Sequence, residues 1–164
     1  MKPKVYEQFT DFLNHATNYE TLGKYTYSPR EFKLNRMAEL LQRLGSPENH
    51  GRTIHITGTK GKGSTALFLR HMFGVLGYSA GLYSSPHLLD LRERITINDS
   101  WIPEEQMNRL GKQIQIAAQE MNEPPTFFEC MTALAFLYFK EANTDFTILE
   151  VGLGGRLDST NTCK

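Results

Sequence analysis

The stretch GTKGKGST, residues 58–65, decides the fold because of what lies on either side of it. The preceding segment, RTIHIT at 52–57, is short and rich in β-branched residues, which predicts a strand. The following segment, 64–76, predicts a helix whose apolar face carries Ala66, Leu69, Phe73 and Leu76. A glycine-rich turn from a strand into a helix is the setting that a phosphate-binding loop requires.

The loop also has the residue types that bind phosphate. Its three glycines let backbone N–H groups turn toward an anion, and the helix adds the positive end of its dipole. Lys62 can reach phosphate oxygens, and Ser64 or Thr65 can offer a hydroxyl to phosphate or Mg²⁺. The spacing departs from G-x-x-x-x-G-K-[ST], so a basic surface turn is the alternative. We predict that a nucleotide binds to Gly58, Thr59, Lys60, Gly61, Lys62, Gly63, Ser64 and Thr65.

Outside the loop, apolar periodicity predicts the other elements of an α/β protein. Helices are expected at residues 5–16, at 37–44 after a start at Ser28-Pro29, at 103–121 and at 126–140. Strands are expected at 79–83, 94–98, 101–102 and 146–151, and residues 18–29 are expected to form a loop. The last strand, FTILEV, is apolar throughout, as in the centre of a parallel sheet. We therefore expect a mainly parallel sheet with helices on both faces.

Composition excludes several classes of protein. The 164 residues include 40% hydrophobic residues, which suffice for a core, and the 18 basic and 18 acidic residues cancel. A neutral chain lacks the electrostatic signature of a nucleic-acid binder. Cys130 and Cys163 are too few for a disulfide framework, and Cys130 lies in an apolar run that predicts a buried thiol. Without a secretory signal or a long apolar segment, we expect a cytoplasmic protein with no membrane partner.

The loop variant ITGTKGKGST resembles the ATP loop of the Mur ligase superfamily, and most closely that of the folylpolyglutamate synthase/dihydrofolate synthase family. Further segments resemble this family in the expected order: GLYSSPHLLDLRERITIN (81–98), PPTFFECMTALAFLYF (124–139) and ILEVGLGGRLDSTN (148–161). The similarity spans residues 50–162. The first 50 residues match the family only loosely, and their periodicity predicts a helical N-terminal segment at 1–50. The resemblance implies the N-terminal part of a Mur-ligase-type ATP-binding domain, an incomplete P-loop-type central ATPase domain, at 51–164.

Glu150 is a candidate metal ligand. It is one carboxylate in an apolar strand, and a buried acid needs a partner such as Mg²⁺ beside a nucleotide. The alternative is a structural acid that accepts hydrogen bonds from nearby backbone N–H groups. By itself, Ser85 before Pro86 predicts a turn residue, since a serine hydroxyl alone is a weak metal ligand. The family resemblance implies that Glu150 and Ser85 are both magnesium ligands. His87 is interpreted as a surface or loop histidine, with a position near the substrate as a further option.

Two segments are candidates for substrate binding. By themselves, Thr126-Phe127-Phe128-Glu129 predicts a helix start with core aromatics, and Asp158 predicts a helix N-cap or a turn residue. The resemblance implies that both segments line a pterin pocket, where Phe128 stacks on the heterocycle and Asp158 accepts its N–H groups. The implied contacts are Thr126, Phe127, Phe128, Glu129, Leu157, Asp158 and Ser159, with Arg156 beside them.

The charge run Arg92-Glu93-Arg94 has two interpretations. Runs of charged residues usually face water, so a solvated strand edge is favoured. The alternative is a mobile loop that closes over the negatively charged tail of a folate.

The resemblance implies an ATP-dependent ligase that adds L-glutamate to a folate or dihydropteroate carboxylate. The γ-phosphate would pass to that carboxylate, and the glutamate amine would attack the acyl phosphate, with Lys62 and Mg²⁺ neutralising charge. Family members carry a downstream metal-binding histidine, a carbamylated lysine and a C-terminal domain that this sequence lacks. We expect this chain to be inactive by itself and the full-length protein to be a monomer. The alternatives are another Mur-type ligase or a regulatory module that uses the loop as a nucleotide switch.

Overall fold

The computed structural model describes residues 8–21 and 34–163. Its helices are α1 (Phe9–Leu13), α2 (Leu34–Arg43), α3 (Lys62–Val75), α4 (Glu104–Gln119) and α5 (Phe127–Glu141). Its strands are β1 (Arg52–Ile56), β2 (Ala80–Tyr83), β3 (Ile95–Ile97), β4 (Ser100–Trp101) and β5 (Phe146–Glu150). Short 3₁₀ turns lie at Pro47–Asn49, Leu91–Arg94 and Ser159–Thr162. The expected helix residues 5–7, the helix start at Ser28-Pro29 and loop residues 22–29 lie outside the described residues.

The strands form one mixed sheet in the order β1-β5-β2-β3-β4. β5 lies between β1 and β2 and is parallel to both. The antiparallel strands β3 and β4 extend the β2 side as the predicted hairpin. The predicted α/β class is therefore confirmed, with the apolar strand β5 at the centre of the parallel part, since residues 147–150 are buried.

Helices cover both faces of the sheet, as predicted. α3 packs on β1, β5 and β2, while α5 packs on β2 from the other side and also contacts α4 and α2. Successive side chains of a strand point to opposite faces, so Ile148 joins the small core under α3 and Leu149 joins the larger core under α5. Among the described residues, no helix is long and apolar enough to cross a membrane.

The apolar helix predicted at 126–140 is α5, and it is buried on nearly all sides. Cys130 is a fully buried free thiol on this helix, as predicted, and burial raises its pKa. A buried, protonated thiol behaves as a small apolar side chain.

α3 differs from its prediction at both ends. It begins at Lys62, two residues earlier than expected, because Gly61 adopts a left-handed conformation (φ 77°) and caps it. Ala66, Leu69 and Phe73 face the sheet as predicted, but Leu76 follows the last helical residue and is 67% exposed. Its backbone has left the helix (ψ 0°), so it no longer extends the apolar face. The outer side of α3 exposes Leu67, Phe68, Met72 and Val75.

A glycine on α4 allows α1 to pack closely. A Cβ at Gly111 would lie 2.3 Å from Cγ of Phe9, which is fully buried. We expect Gly111→Ala to lower the free energy of unfolding by about 1–3 kcal/mol, because overpacking outweighs the gain in helix propensity. Gly74→Ala on α3 is the matched control: nothing lies within 4 Å of its Cβ, so propensity should stabilise it by up to about 1 kcal/mol. Urea denaturation measures both variants, and equal effects would contradict this packing role.

Candidate functional site

The turn between β1 and α3 has the geometry of an anion-binding loop. Gly58 and Gly61 have φ values of 152° and 77°, which side chains disfavour, so these positions need glycine. Because α3 begins at Lys62, the free N–H groups of its first turn lie at the end of this loop. The Thr65 hydroxyl donates to the Gly61 carbonyl at 2.9 Å, whereas Ser64 is exposed and better placed to offer its hydroxyl to a ligand.

Glu150, the last residue of β5, lies against the first turn of α3. A Cβ built on Gly63 would lie 3.4 Å from Glu150 Oε2 and 3.5 Å from Oε1. Glu150 is 7% exposed, and this burial raises its pKa. The Ser85 N–H and the positive charge of Lys62 act in the opposite direction. A buried carboxylate that faces a phosphate loop is therefore suited to receive a cation.

Ser85 meets Glu150 because β2 and β5 are parallel neighbours that end at the same edge of the sheet. The Ser85 N–H donates to Glu150 Oε2 at 3.4 Å, a long contact that satisfies the carboxylate only partly. The carboxylate of Glu150 and a serine hydroxyl are oxygen ligands of the kind that Mg²⁺ takes together with phosphates, so these residues fit the ion. Among the described residues, no cluster of three or more His, Cys, Asp or Glu is arranged to hold a metal. Glu150 and Ser85 therefore supply only part of a coordination sphere, which phosphate oxygens and water can extend.

Asp158 organises the glycine-rich segment that follows β5. Its Oδ2 accepts the N–H groups of Gly152 and Leu153 at 3.1 and 2.9 Å. Its Oδ1 accepts the Thr160 N–H at 3.0 Å, and Asp158 is 4% exposed. The N-cap interpretation of Asp158 is thus the one that the structure shows, while its contact with a pterin stays a prediction.

The two predicted substrate segments meet at Gly152. A Cβ there would lie 2.7 Å from Cζ of Phe128 and 3.4 Å from Oδ2 of Asp158. Tyr83 also packs against Phe128, with their ring centroids 5.7 Å apart. Leu157 and Ser159, on the same turn as Asp158, are half-buried. The structure therefore brings the start of α5 and the segment after β5 to one place.

Thr126 and Glu129 hold the start of α5. The Thr126 hydroxyl accepts the Glu129 N–H at 3.3 Å, and Glu129 Oε2 accepts the Thr126 N–H at 2.7 Å. Glu129 is 2% exposed and forms a salt bridge with Arg36 of α2 at 2.7 Å. The polar groups of both residues therefore have protein partners, and their contact with substrate stays a prediction. The pattern Thr-x-x-Glu is the sequence signal that predicts this capping of the helix start.

The solvated-edge interpretation of the charge run at 92–94 is wrong for Arg94, whose side chain is 1% exposed. Its Nη1 donates to Glu20 Oε1 at 2.9 Å, and its Nε donates to Nδ1 of His87 at 2.9 Å. Its guanidinium also lies 5.1 Å from the centroid of the Phe127 ring. Sequence reasoning missed Glu20 because it lies 74 positions before Arg94.

Glu93 shapes the loop after β2. Its carboxylate accepts the N–H groups of Leu88, Leu89 and Asp90 at 2.8, 3.0 and 2.8 Å, and these bonds lower its pKa. The same bonds hold Leu88 and Leu89 with 89% and 94% exposure. Asp90-x-x-Glu93 is a second capping box that the sequence signals. Closure of this loop over a substrate stays a prediction.

The sheet, the glycine-rich loop at its edge and the facing carboxylate define the phosphate-loop class of α/β proteins. No protein-family model matches the chain. The dihydrofolate synthase/folylpolyglutamate synthase of Bacillus subtilis is 45% identical in an alignment of 133 residues that covers 78% of this chain and 31% of that protein. The chain belongs to the folylpolyglutamate synthase/dihydrofolate synthase family, as its sequence motifs predicted.

Solved structures agree with this assignment. Folylpolyglutamate synthase from Thermotoga maritima matches with a TM-score of 0.83 and 40% identity, over 94% of this chain and 35% of that one. A folylpolyglutamate synthase in complex with AMPPCP and folate matches with a TM-score of 0.80 and 33% identity, over 95% of this chain and 38% of that one. The chain thus spans about a third of the length of the relatives it matches.

Proposed function

We propose that this chain provides the ATP- and magnesium-binding part of a ligase that joins L-glutamate to a folate or dihydropteroate carboxylate through an acyl phosphate. The observation that carries the proposal is the approach of the Glu150 carboxylate to Gly63 and to the Ser85 N–H. This arrangement places a carboxylate that can bind a cation beside the phosphate loop. The relatives named as folylpolyglutamate and dihydrofolate synthases, and the AMPPCP–folate complex of one of them, support the choice of nucleotide and substrate.

Each part of the loop has a separate task in this proposal. The backbone N–H groups around Gly61 and the start of α3 hold the phosphates, and Lys62 adds a positive charge beside them. Glu150 and Ser85 would hold Mg²⁺. When bound, the ion neutralises charge between the triphosphate and the anionic acceptor. Transfer of a phosphoryl group depends mainly on such positioning and charge neutralisation.

Phe128 is the proposed surface on which the pterin stacks. It contacts Gly152, two residues beyond Glu150, so the heterocycle and the ion would occupy the same edge of the sheet. An aromatic ring of this kind attracts a flat heterocycle through offset stacking. The exposure of Gly152 and the half-burial of Phe128 support an accessible surface there.

Two measurements test the proposed function. Calorimetric titration of the chain with ATP and Mg²⁺ should show binding at one site. A chimera in which this chain replaces the matching third of the Bacillus subtilis relative should release ADP only when glutamate and a folate or dihydropteroate are both present. ATP hydrolysis that is indifferent to glutamate would overturn the ligase assignment and favour a regulatory module. Activity with a cell-wall precursor in place of folate would favour another Mur-type ligase.

Glu150→Gln tests the cation site. In the presence of Mg²⁺, we expect the variant to bind ATP roughly tenfold or more weakly than the wild-type chain, because the amide is neutral. Its affinity for ATP without Mg²⁺ should be unchanged. Because burial raises the pKa of Glu150, its ionised form opposes folding at neutral pH, so the ligand-free variant should unfold at higher urea concentration. Calorimetry and denaturation measure the two effects. Glu105→Gln on the exposed face of α4 is the control, and an unchanged response to Mg²⁺ in Glu150→Gln would refute the cation role.

A further inference from the structure

The carboxylate of Asp158 is saturated by donors from the protein. Gly152 and Leu153 give their N–H groups to Oδ2, and Thr160 gives both its N–H and its hydroxyl to Oδ1. A carboxylate offers about four lone-pair sites, so these bonds use its accepting capacity. Asp158 is therefore built to hold backbone, and a substrate N–H could bind it only by displacing one of these donors.

The hydrogen bond from the Thr160 hydroxyl to Asp158 fixes which groups donate and which accept in the bonds among Asp158, Thr160 and His55. A hydroxyl has one proton, and that of Thr160 goes to Asp158. Nε2 of His55 lies 2.7 Å from the same hydroxyl oxygen, so the ring must donate Nε2–H to it. Burial lowers the pKa of His55, which favours the neutral ring, although the charge of Asp158 acts in the opposite direction. The result is a relay in which His55 donates to Thr160 and Thr160 donates to Asp158, whose carboxylate also accepts the N–H groups of Gly152 and Leu153.

The relay joins the two loops of the candidate site. His55 lies on β1, three residues before the phosphate loop starts at Gly58, and Gly152 lies two residues after Glu150. A second tie runs from the Thr57 hydroxyl to the Gly154 carbonyl at 3.3 Å. Thr160 is fully buried, which shields its bonds from competition with water.

We propose that His55, Thr160 and Asp158 are positioning residues that hold the glycine-rich segment at 152–155 against the phosphate loop. They thereby fix the position in which the Glu150 carboxylate binds its cation. The cation part of this inference rests on the proposed function. The relay itself is a property of the ligand-free chain and is tested separately.

Thr160→Val and Thr160→Ser form the decisive pair, because valine keeps the shape but loses the hydroxyl and serine keeps the hydroxyl. Gly152 and Leu153 are exposed residues, so protection of their N–H groups from hydrogen exchange depends on Asp158. We expect Thr160→Val to reduce this protection and to weaken Mg²⁺-dependent ATP binding roughly fivefold, the equivalent of about one hydrogen bond. Thr160→Ser should restore both, and ATP binding without Mg²⁺ should change little.

The ring of His55 and the exchange of the variants provide two further tests of the relay. The ¹⁵N shifts of His55 should show a neutral ring protonated at Nε2, and protonation at Nδ1 alone would overturn the relay. Equal loss of protection in Thr160→Val and Thr160→Ser would also overturn it. His55→Leu serves in place of Thr160→Val if the latter does not fold, with the same expected exchange. A wild-type chain that shows the relay by NMR but binds no ATP would refute the proposed function and leave the positioning of the segment established.

Discussion

Arg94→Leu is expected to lower the free energy of unfolding by about 3 kcal/mol or more. The guanidinium is almost fully buried and donates to both Glu20 and His87. Leucine would fill part of the space but leave the Glu20 carboxylate and the His87 ring without this donor. The loss of charge-assisted hydrogen bonds in a buried setting explains the size of the effect.

The neighbouring Arg92→Leu is the matched control. Arg92 pairs with Asp90 near the surface, where side-chain exposures are 31% and 34%, and such pairs contribute at most about 1 kcal/mol. Urea denaturation followed by circular dichroism compares the two variants, and equal losses would show that Arg94 acts only as a surface charge. If Arg94→Leu does not fold, Glu20→Gln reports on the same pair in a milder way. In the double variant Arg94→Leu/Glu20→Leu, part of the lost stability should return.

Lys62→Ala is expected to weaken ATP binding by about 10- to 100-fold, which corresponds to the loss of one hydrogen bond between charged groups. Lys62 is the first residue of α3, where the helix N-terminus already favours an anion. Burial raises the pKa of Glu150, and the positive charge of Lys62 acts against it, as expected for two groups that face the same loop. Calorimetric titration with ATP, with and without Mg²⁺, measures the loss.

Lys112→Ala is the control for Lys62→Ala, since Lys112 is exposed on α4 away from the loop. It removes the same overall charge, so it corrects for long-range electrostatics. Lys62→Arg should recover part of the affinity, because it keeps the charge but not the compact ammonium group. ATP binding that is the same in Lys62→Ala and wild type would mean that residues 58–65 form only a basic surface turn.

Much of the fold was predictable because its signals are local. The apolar run at 146–151 predicts a central strand, and β5 occupies that position. The residues of the candidate cation site were also named from the sequence: the loop at 58–65 by its glycines, Glu150 as a single acid in an apolar strand, and Ser85 only through the family resemblance. Parallel strands that end at one edge then bring these motifs together, as the contact between Ser85 and Glu150 shows.

The sequence by itself thus determined the class of fold, the family and the residues proposed to bind a nucleotide. Only the tertiary structure decided that Arg94 is buried and that Asp158 holds backbone. The partner of Arg94 is Glu20, 74 positions away, and Thr160, which bonds to Asp158, meets His55 across 105 positions. Local periodicity reports only which face of an element is apolar. Whether a charge or hydroxyl is buried depends on the donor or acceptor that a distant segment brings to it, because a buried polar group persists only when that partner is present.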